Sequence, residues 1–313
     1  MTATSNSALT SNYTPFSPEK RQEIADFWNE NGYYVLENAL SSEEIAELRA
    51  ETARICAGEV SEIHGTTPRL EGESDDDVLR RVLCIHFPHK ISPLMHDALA
   101  HPAAVDVLTS VIGPNVKAMQ SMLFIKAAGK PGQAWHQDED YIPTRDRSLC
   151  GAWIALDDAT IENGCLWIIP GSHKPGILWD QEWHADSRFD CALESQNFPY
   201  SEDEAIPVEV KAGAIVFFNG YTLHRSLPNR AKSGYRRALV NHYMSAESFL
   251  PWVAGPSVNL NDGVAKCDHR DVVIVAGVDP FAYRGYQDSH RPHVRSAGEG
   301  GCMKGDEALP YNN

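Results

Sequence analysis

His136 and Asp138, in the run Trp135-His136-Gln137-Asp138, set an imidazole and a carboxylate two residues apart. On an extended segment side chains two apart leave the same face, so both can reach one cation without bending the backbone. Imidazole plus carboxylate suits a borderline first-row ion such as Fe(II) better than soft Cu(I) or hard Ca2+. The pair alone is unspecific, because the chain holds a second one at His184 and Asp186. A third ligand has to come from elsewhere in the chain, and His224 meets that need. It follows an apolar run over residues 214–218 and lies 88 residues beyond His136, enough chain for a sheet to fold back. Two histidines and one carboxylate on one face of an octahedral ion leave open positions for a bidentate 2-oxoacid and O2. A dicarboxylic oxoacid then needs a cation for its far end. Arg236 and Arg237 stand 12 and 13 residues past His224, and a guanidinium fork grips a carboxylate in bidentate fashion. Neighbouring strand residues point to opposite faces, so only one of the two arginines can serve. Ser226, two residues after His224, adds a hydroxyl on that ligand's own face.

These residues need rigid elements to hold them. Ser17-Pro18-Glu19 reads as an N-cap with proline at the first helical position, opening a helix that ends at Asn29–Gly32. Residues 33–36 read as a strand. Ser41 with Glu44 forms a capping box for a second helix reaching about Ala57, and a third is expected from Pro102 to about Ile112. From Val116 onward short apolar segments rich in β-branched and aromatic residues take over, at 122–127, 149–156, 165–169, 206–210, 214–218 and 238–243. Gly, Pro, Asn and Asp punctuate them as in an all-β sandwich or barrel. No alternation of strand with long helix supports a doubly wound α/β sheet. The expected organisation is a flexible arm over residues 1–16 and one domain over 17–313. Its β-core spans about 115–245, and residues 250–313 wrap that core.

Composition narrows the partners. The 313 residues carry 27 Lys and Arg against 43 Asp and Glu, a formal net charge of −16. That balance disfavours nucleic acid and anionic membranes, which reward clustered positive charge. No apolar run approaches the roughly 20 residues needed to span a bilayer. Seven scattered cysteines without a CxxC pair read as reduced thiols rather than a disulfide framework. With neither a secretory N-terminus nor a Ser-Lys-Leu-type ending, the expected location is the cytoplasm. A small-molecule substrate is the expected partner, and nothing in the sequence sets an oligomeric state.

The runs WHQDEDY (135–141), WIALDDATIENGCLWIIPGSH (153–173) and HRSLPNRAKSGYRRALVNHY (224–243) together resemble the phytanoyl-CoA dioxygenase family, over roughly residues 31–243. The resemblance implies a mainly β fold with flanking helices, the double-stranded β-helix or cupin-like jelly roll. It also implies Fe(II) as metal, with 2-oxoglutarate and O2 as cosubstrates for hydroxylation or a related C–H oxidation. His136, Asp138 and His224 match the iron ligands. Arg236 matches the arginine for the far carboxylate, Trp153 and Met122 match pocket residues, and Ser226 matches a nearby hydroxyl. Many relatives place the arginine 11 residues after the distal histidine rather than 12, which leaves Arg237 as the rival. Halogenating relatives replace the carboxylate ligand by Gly or Ala, whereas Asp138 is present here.

Two other classes fit part of the pattern: a cupin-like metalloenzyme that does not use 2-oxoglutarate, and a non-catalytic binding homologue. Tyr141, Arg145, Trp183 and Trp252 are candidates for the substrate pocket, with His86, His89 and Lys90 nearby. His173 reads as a turn residue bonded to backbone. Glu139, Asp140, Asp157 and Asp158 read as solvated charges.

Overall fold

The computed structural model describes residues 13–190, 193–248 and 270–296. Residues 1–12 of the expected arm, Cys191, Cys267, Cys302, Trp252 and most of the expected C-terminal wrap lie outside them. In chain order the elements are α1 (Pro18–Asn31), β1 (Tyr33–Leu36), α2 (Ser42–Cys56), α3 (Asp75–Arg81), β2 (Val82–His86), α4 (Pro93–Asp97), α5 (Pro102–Val111), β3 (Val116–Ala127), β4 (Gln133–His136) and α6 (Asp138–Tyr141). There follow β5 (Cys150–Ala155), β6 (Leu166–Ile168), β7 (Gln181–Trp183), β8 (Leu193–Ser195), β9 (Ile206–Val208), β10 (Ile215–Asn219), β11 (His224–Ser226), β12 (Tyr235–Ser245), β13 (Val273–Ala276) and β14 (His293–Ser296).

Local chemistry explains the helix ends. The Ser17 hydroxyl accepts from the Lys20 amide, and Gly32 closes α1 with φ +76°, its N–H on the Trp28 carbonyl. Ser41 and Glu44 complete both halves of the capping box on α2. No expectation from sequence covers α3 (Asp75–Arg81). Ser74 caps it through a second capping box with Asp77, and acidic residues in a first turn favour the helix dipole. Just before α1, Tyr13 and the Phe16 amide both donate to Asp106 of α5, at 2.5 and 2.7 Å.

The large sheet runs β1-β10-β5-β12-β3-β2-β14, with β13 also on β3; a smaller sheet runs β4-β11-β6-β9. Strand alternation assigns the two faces of the large sheet. Ile154, Ile215, Phe217, Leu239 and Tyr243 pack with helix residues such as Ile24, Trp28, Leu48, Ile55 and Leu108. The alternate residues Trp153, Ala155, Val216, Phe218, Ala238 and Val240 pack against Leu166 and Ile168 of the smaller sheet. Helices, large sheet and small sheet thus form three layers with a core in each gap. Each fully buried aliphatic side chain contributes about 1.5–3 kcal/mol. This is the jelly roll expected, with the strands of the reading all present and β3 and β12 longer than their apolar centres suggest.

Candidate functional site

The site opens between the two sheets, where β4 ends and β11 begins. These strands pair antiparallel with His136 opposite His224, so register alone brings the two imidazoles together. Their ring centroids lie 4.1 Å apart at 51°. Asp138 is the first residue of α6, yet Gln137 before it is extended (φ −126°, ψ 126°), so the two-residue alternation still carries the carboxylate to the histidines' side. Asp138 Oδ1 stands 3.7 Å from His136 Nε2 and 3.6 Å from His224 Nε2. Among the described residues this trio is the one cluster of three or more ligand-type side chains whose donor atoms lie within 4.8 Å of one another.

The chemistry of the donor set fits one divalent ion. His136 Nδ1–H donates to the Ala134 carbonyl at 2.7 Å and His224 Nδ1–H to the Thr222 carbonyl at 2.9 Å. A carbonyl can only accept, so each Nε2 keeps its lone pair for a metal. Burial, helped by the neighbouring His224, lowers the His136 pKa to about 4, keeping it neutral near pH 7. Burial raises the Asp138 carboxyl, but His224, His242 and His136 together overrule it and hold it below its usual range. A neutral imidazole and an ionised carboxylate are the ligand forms metals take. His184 and Asp186 serve another purpose: the Asp186 amide donates to His184, and the carboxylate pairs with Arg188 at 2.5 Å.

Further residues, unseen from sequence, hold the ligands. His242 Nε2 lies 3.0 Å from Asp138 Oδ2, which leaves Oδ1 for the metal. Its only signal was the inward phase it shares with Arg236, Ala238 and Val240 on β12. The Gln137 side chain donates to the carbonyls of Ile177 and Tyr221 at 2.9 and 2.7 Å and accepts from the Trp179 amide at 2.9 Å. It thereby ties the first ligand strand to the loop before the third ligand. Glu139 is not a solvated charge: it is 1% exposed, accepts from the Thr144 amide and from the Thr144 hydroxyl at 2.6 Å, and burial raises its pKa to about 7. Asp157 likewise is not solvated but bridges Arg237 and Arg49. Asp140 is exposed, and Asp158 pairs with Lys211.

Beyond the ligands the inner face of β12 carries Arg236, 3% exposed. Its Nε donates to the Gly164 carbonyl at 3.2 Å, and its guanidinium lies 5.4 Å from the Trp153 ring. Arg237 points the other way, and its backbone and guanidinium bond Asp157 at 2.8–2.9 Å. Met122 and Trp153 both stand opposite Val240 on β12's two neighbours, so they line the same face. Ser226 is buried and accepts from Lys126 Nζ at 2.9 Å and from the Gln133 amide at 3.3 Å. Tyr141 meets His136 edge-on at 6.3 Å and bonds Gln181, which puts it at the rim with the exposed Trp183. Arg145 is exposed on the loop after α6. His86 stands opposite Met122 and stacks on His293 at 4.6 Å. His89 is buried on the Ser121 hydroxyl and Lys90 pairs with Asp271 and Asp288. His173 bonds the Asn29 carbonyl at 3.3 Å, as its turn role implies.

A jelly roll with two histidines and one carboxylate between its sheets defines a non-haem iron oxygenase. The sequence model of the phytanoyl-CoA dioxygenase (PhyH) family matches residues 28–238, and the chain belongs to that family. It is accordingly an Fe(II)- and 2-oxoglutarate-dependent dioxygenase. Phytanoyl-CoA dioxygenase of Arabidopsis thaliana is 30% identical over 255 residues, covering 71% of this chain and 88% of that protein. The peroxisomal phytanoyl-CoA dioxygenase of Homo sapiens is 28% identical over 264 residues, 79% of this chain and 75% of its own length. Among solved structures, the non-heme monooxygenase ThoJ superposes with a TM-score of 0.62 at 21% identity, over 86% of this chain and 88% of that one. The epimerase SnoN, solved with Fe3+, alpha ketoglutarate and nogalamycin RO, gives 0.57 at 21% identity, over 75% and 87%.

Proposed function

We propose that His136, Asp138 and His224 hold one Fe(II) and that Arg236 and Ser226 receive the distal carboxylate of 2-oxoglutarate, with Trp153 and Met122 as the walls between. The observation that carries this reading is the convergence of the His136, Asp138 and His224 donor atoms on one inter-sheet face that also carries the Arg236 guanidinium. A cupin-like reaction without 2-oxoglutarate would leave that guanidinium buried with no anion to receive, a costly arrangement.

When bound, Fe(II) and 2-oxoglutarate supply with O2 the oxidising power that turns a substrate C–H into C–OH, releasing succinate and CO2. The chain's own residues place and shield. The Nδ1 bonds to backbone fix both imidazoles, His242 orients Asp138, and the apolar residues around Trp153 exclude water. Arg236 sets the cosubstrate's orientation from its far end. The substrate is a small organic molecule admitted past Tyr141, Gln181 and Trp183, with a biosynthetic compound favoured over an acyl-CoA by the net charge of −16. In this reading residues 17–313 act as one domain in the cytoplasm. Among the described residues no helix is long and apolar enough to cross a membrane.

Anaerobic titration of the metal-free protein with Fe(II) and 2-oxoglutarate tests the reading through the visible metal-to-ligand charge-transfer band. The band should form with the wild type and vanish in Asp138→Ala. Metal binding without a band would sink the cosubstrate assignment.

A further inference from the structure

Lys126 stands directly opposite Arg236 in the β3–β12 ladder, so both side chains leave the same face of the sheet. It is 4% exposed. Its Nζ donates to Ser226 Oγ at 2.9 Å, to the Leu227 carbonyl at 2.8 Å and to the Gly164 carbonyl at 3.4 Å. All three acceptors are neutral. Neither Lys126 nor Arg236 forms an ion pair among the described residues; Asp190 acts on both from beyond ion-pair distance. Burial, and then the facing Arg236, lowers the Lys126 pKa well below its usual range, and an anion joining the two groups favours the charged form.

The bonds to Ser226 decide what its hydroxyl can do. A serine hydroxyl has two acceptor lone pairs and one proton. An N–H of Lys126 Nζ takes one lone pair and the Gln133 amide the other. The proton is therefore free only to donate, and the Gly164 carbonyl, which accepts from both Lys126 Nζ and Arg236 Nε, brings Arg236 to the same neighbourhood.

Resting on the proposed function, we propose that Lys126 is a positioning residue for the cosubstrate's distal carboxylate: it turns Ser226 into an obligate donor and adds a second cation beside Arg236. The site is thereby matched to a dicarboxylic 2-oxoacid and against a monocarboxylic one. Gly164 belongs to the same device. It sits at φ +84°, and a Cβ there would lie 2.3 Å from the Leu227 carbonyl oxygen and 3.1 Å from Lys126 Nζ.

The test compares 2-oxoglutarate with 2-oxobutyrate, which has the same chelating end and no distal carboxylate, on the Fe(II)-loaded protein without O2. Wild type should bind 2-oxoglutarate far more tightly. Lys126→Met should weaken 2-oxoglutarate about ten- to a hundredfold, the scale of a charge-assisted hydrogen bond, and leave 2-oxobutyrate and Fe(II) binding within about twofold. Equal weakening of both acids would mark Lys126 as a structural residue only and overturn the proposal, as would unchanged binding of both. If Lys126→Met does not fold, Ser226→Ala decides: a selective loss of 2-oxoglutarate supports the donor role, and wild-type binding of both acids overturns it. A wild type that binds Fe(II) but does not discriminate between the acids removes the cosubstrate reading itself, a failure visible before any variant is made.

Discussion

Each of the three proposed ligands has an orienting partner: backbone carbonyls for His136 and His224, and the His242 side chain for Asp138. A carboxylate can swing between one- and two-oxygen coordination, and in the proposed centre the bond from His242 to Oδ2 would commit Oδ1 to the metal. Partners of this kind are worth about ten- to a hundredfold in metal affinity. His242→Leu is expected to weaken Fe(II) binding by that factor while near-native circular dichroism persists. Undiminished affinity would show that Asp138 needs no such support. The two arginines separate in the same way. Arg236→Leu should raise the apparent 2-oxoglutarate dissociation constant with little change in Fe(II) binding. Arg237→Leu should leave cosubstrate binding alone and cost about 1–3 kcal/mol of stability, because Asp157 loses its bidentate partner. If Arg237→Leu instead loses 2-oxoglutarate, the face assignment of β12 is wrong.

Elements set the distances between these residues. The turn at Gly164, just before β6, passes so close to Leu227 that no side chain fits, and its φ of +84° is a conformation L residues avoid. Gly164→Ala should therefore destabilise the fold by a few kcal/mol and loosen the junction between β6 and β11. A melting temperature within a degree of wild type would show that the loop relaxes without cost. The helices present the milder case. Removing the Ser41 cap of α2 should cost about 1 kcal/mol and leave the metal centre, in another layer, untouched. Such ends were legible in sequence because capping is local: Ser41 and Glu44 are three residues apart and act on one turn. The strand positions were legible too, since a two-residue period survives whatever the strand pairs with. The pairing of β4 with β11 was not, because register is settled by side chains from both strands and by the turns around them.

Across the molecule, burial and charge set the response to pH and metal. Burial first, then the neighbouring Lys90, lowers the His89 pKa from 6.5 to about 4. The unfolded chain takes up that proton near 6.5 and the folded chain only near 4. The stabilisation is thus present above 6.5 and lost as pH falls through 4. The melting temperature of the metal-free protein should decline across that window, and His89→Gln should show a shallower decline; identical slopes would assign the effect elsewhere. A metal that binds only the folded state stabilises it by about 2.7 kcal/mol at a hundredfold excess over its Kd. Fe(II) added without O2 should accordingly raise the melting temperature of the wild type and not of Asp138→Ala.

What the sequence determined by itself is what spacing and periodicity encode: the β-rich core, the capped helices, and the trio His136, Asp138 and His224 with an arginine a dozen residues on. Ligand types and strand alternation act over two or three residues, so they can be read along one dimension. The tertiary structure decided what depends on contact between distant segments. It turned Arg236 toward the Gly164 carbonyl and gave Arg237 to Asp157, 80 residues away. It brought His242 to Asp138 across 104 residues and Lys126 to Ser226 across 100. It also buried Glu139 and paired Asp157 with Arg237 and Arg49, although both carboxylates look solvated in sequence, because such partners are not placed beside them there. A side chain's chemistry belongs to its residue type, but its partner belongs to the fold.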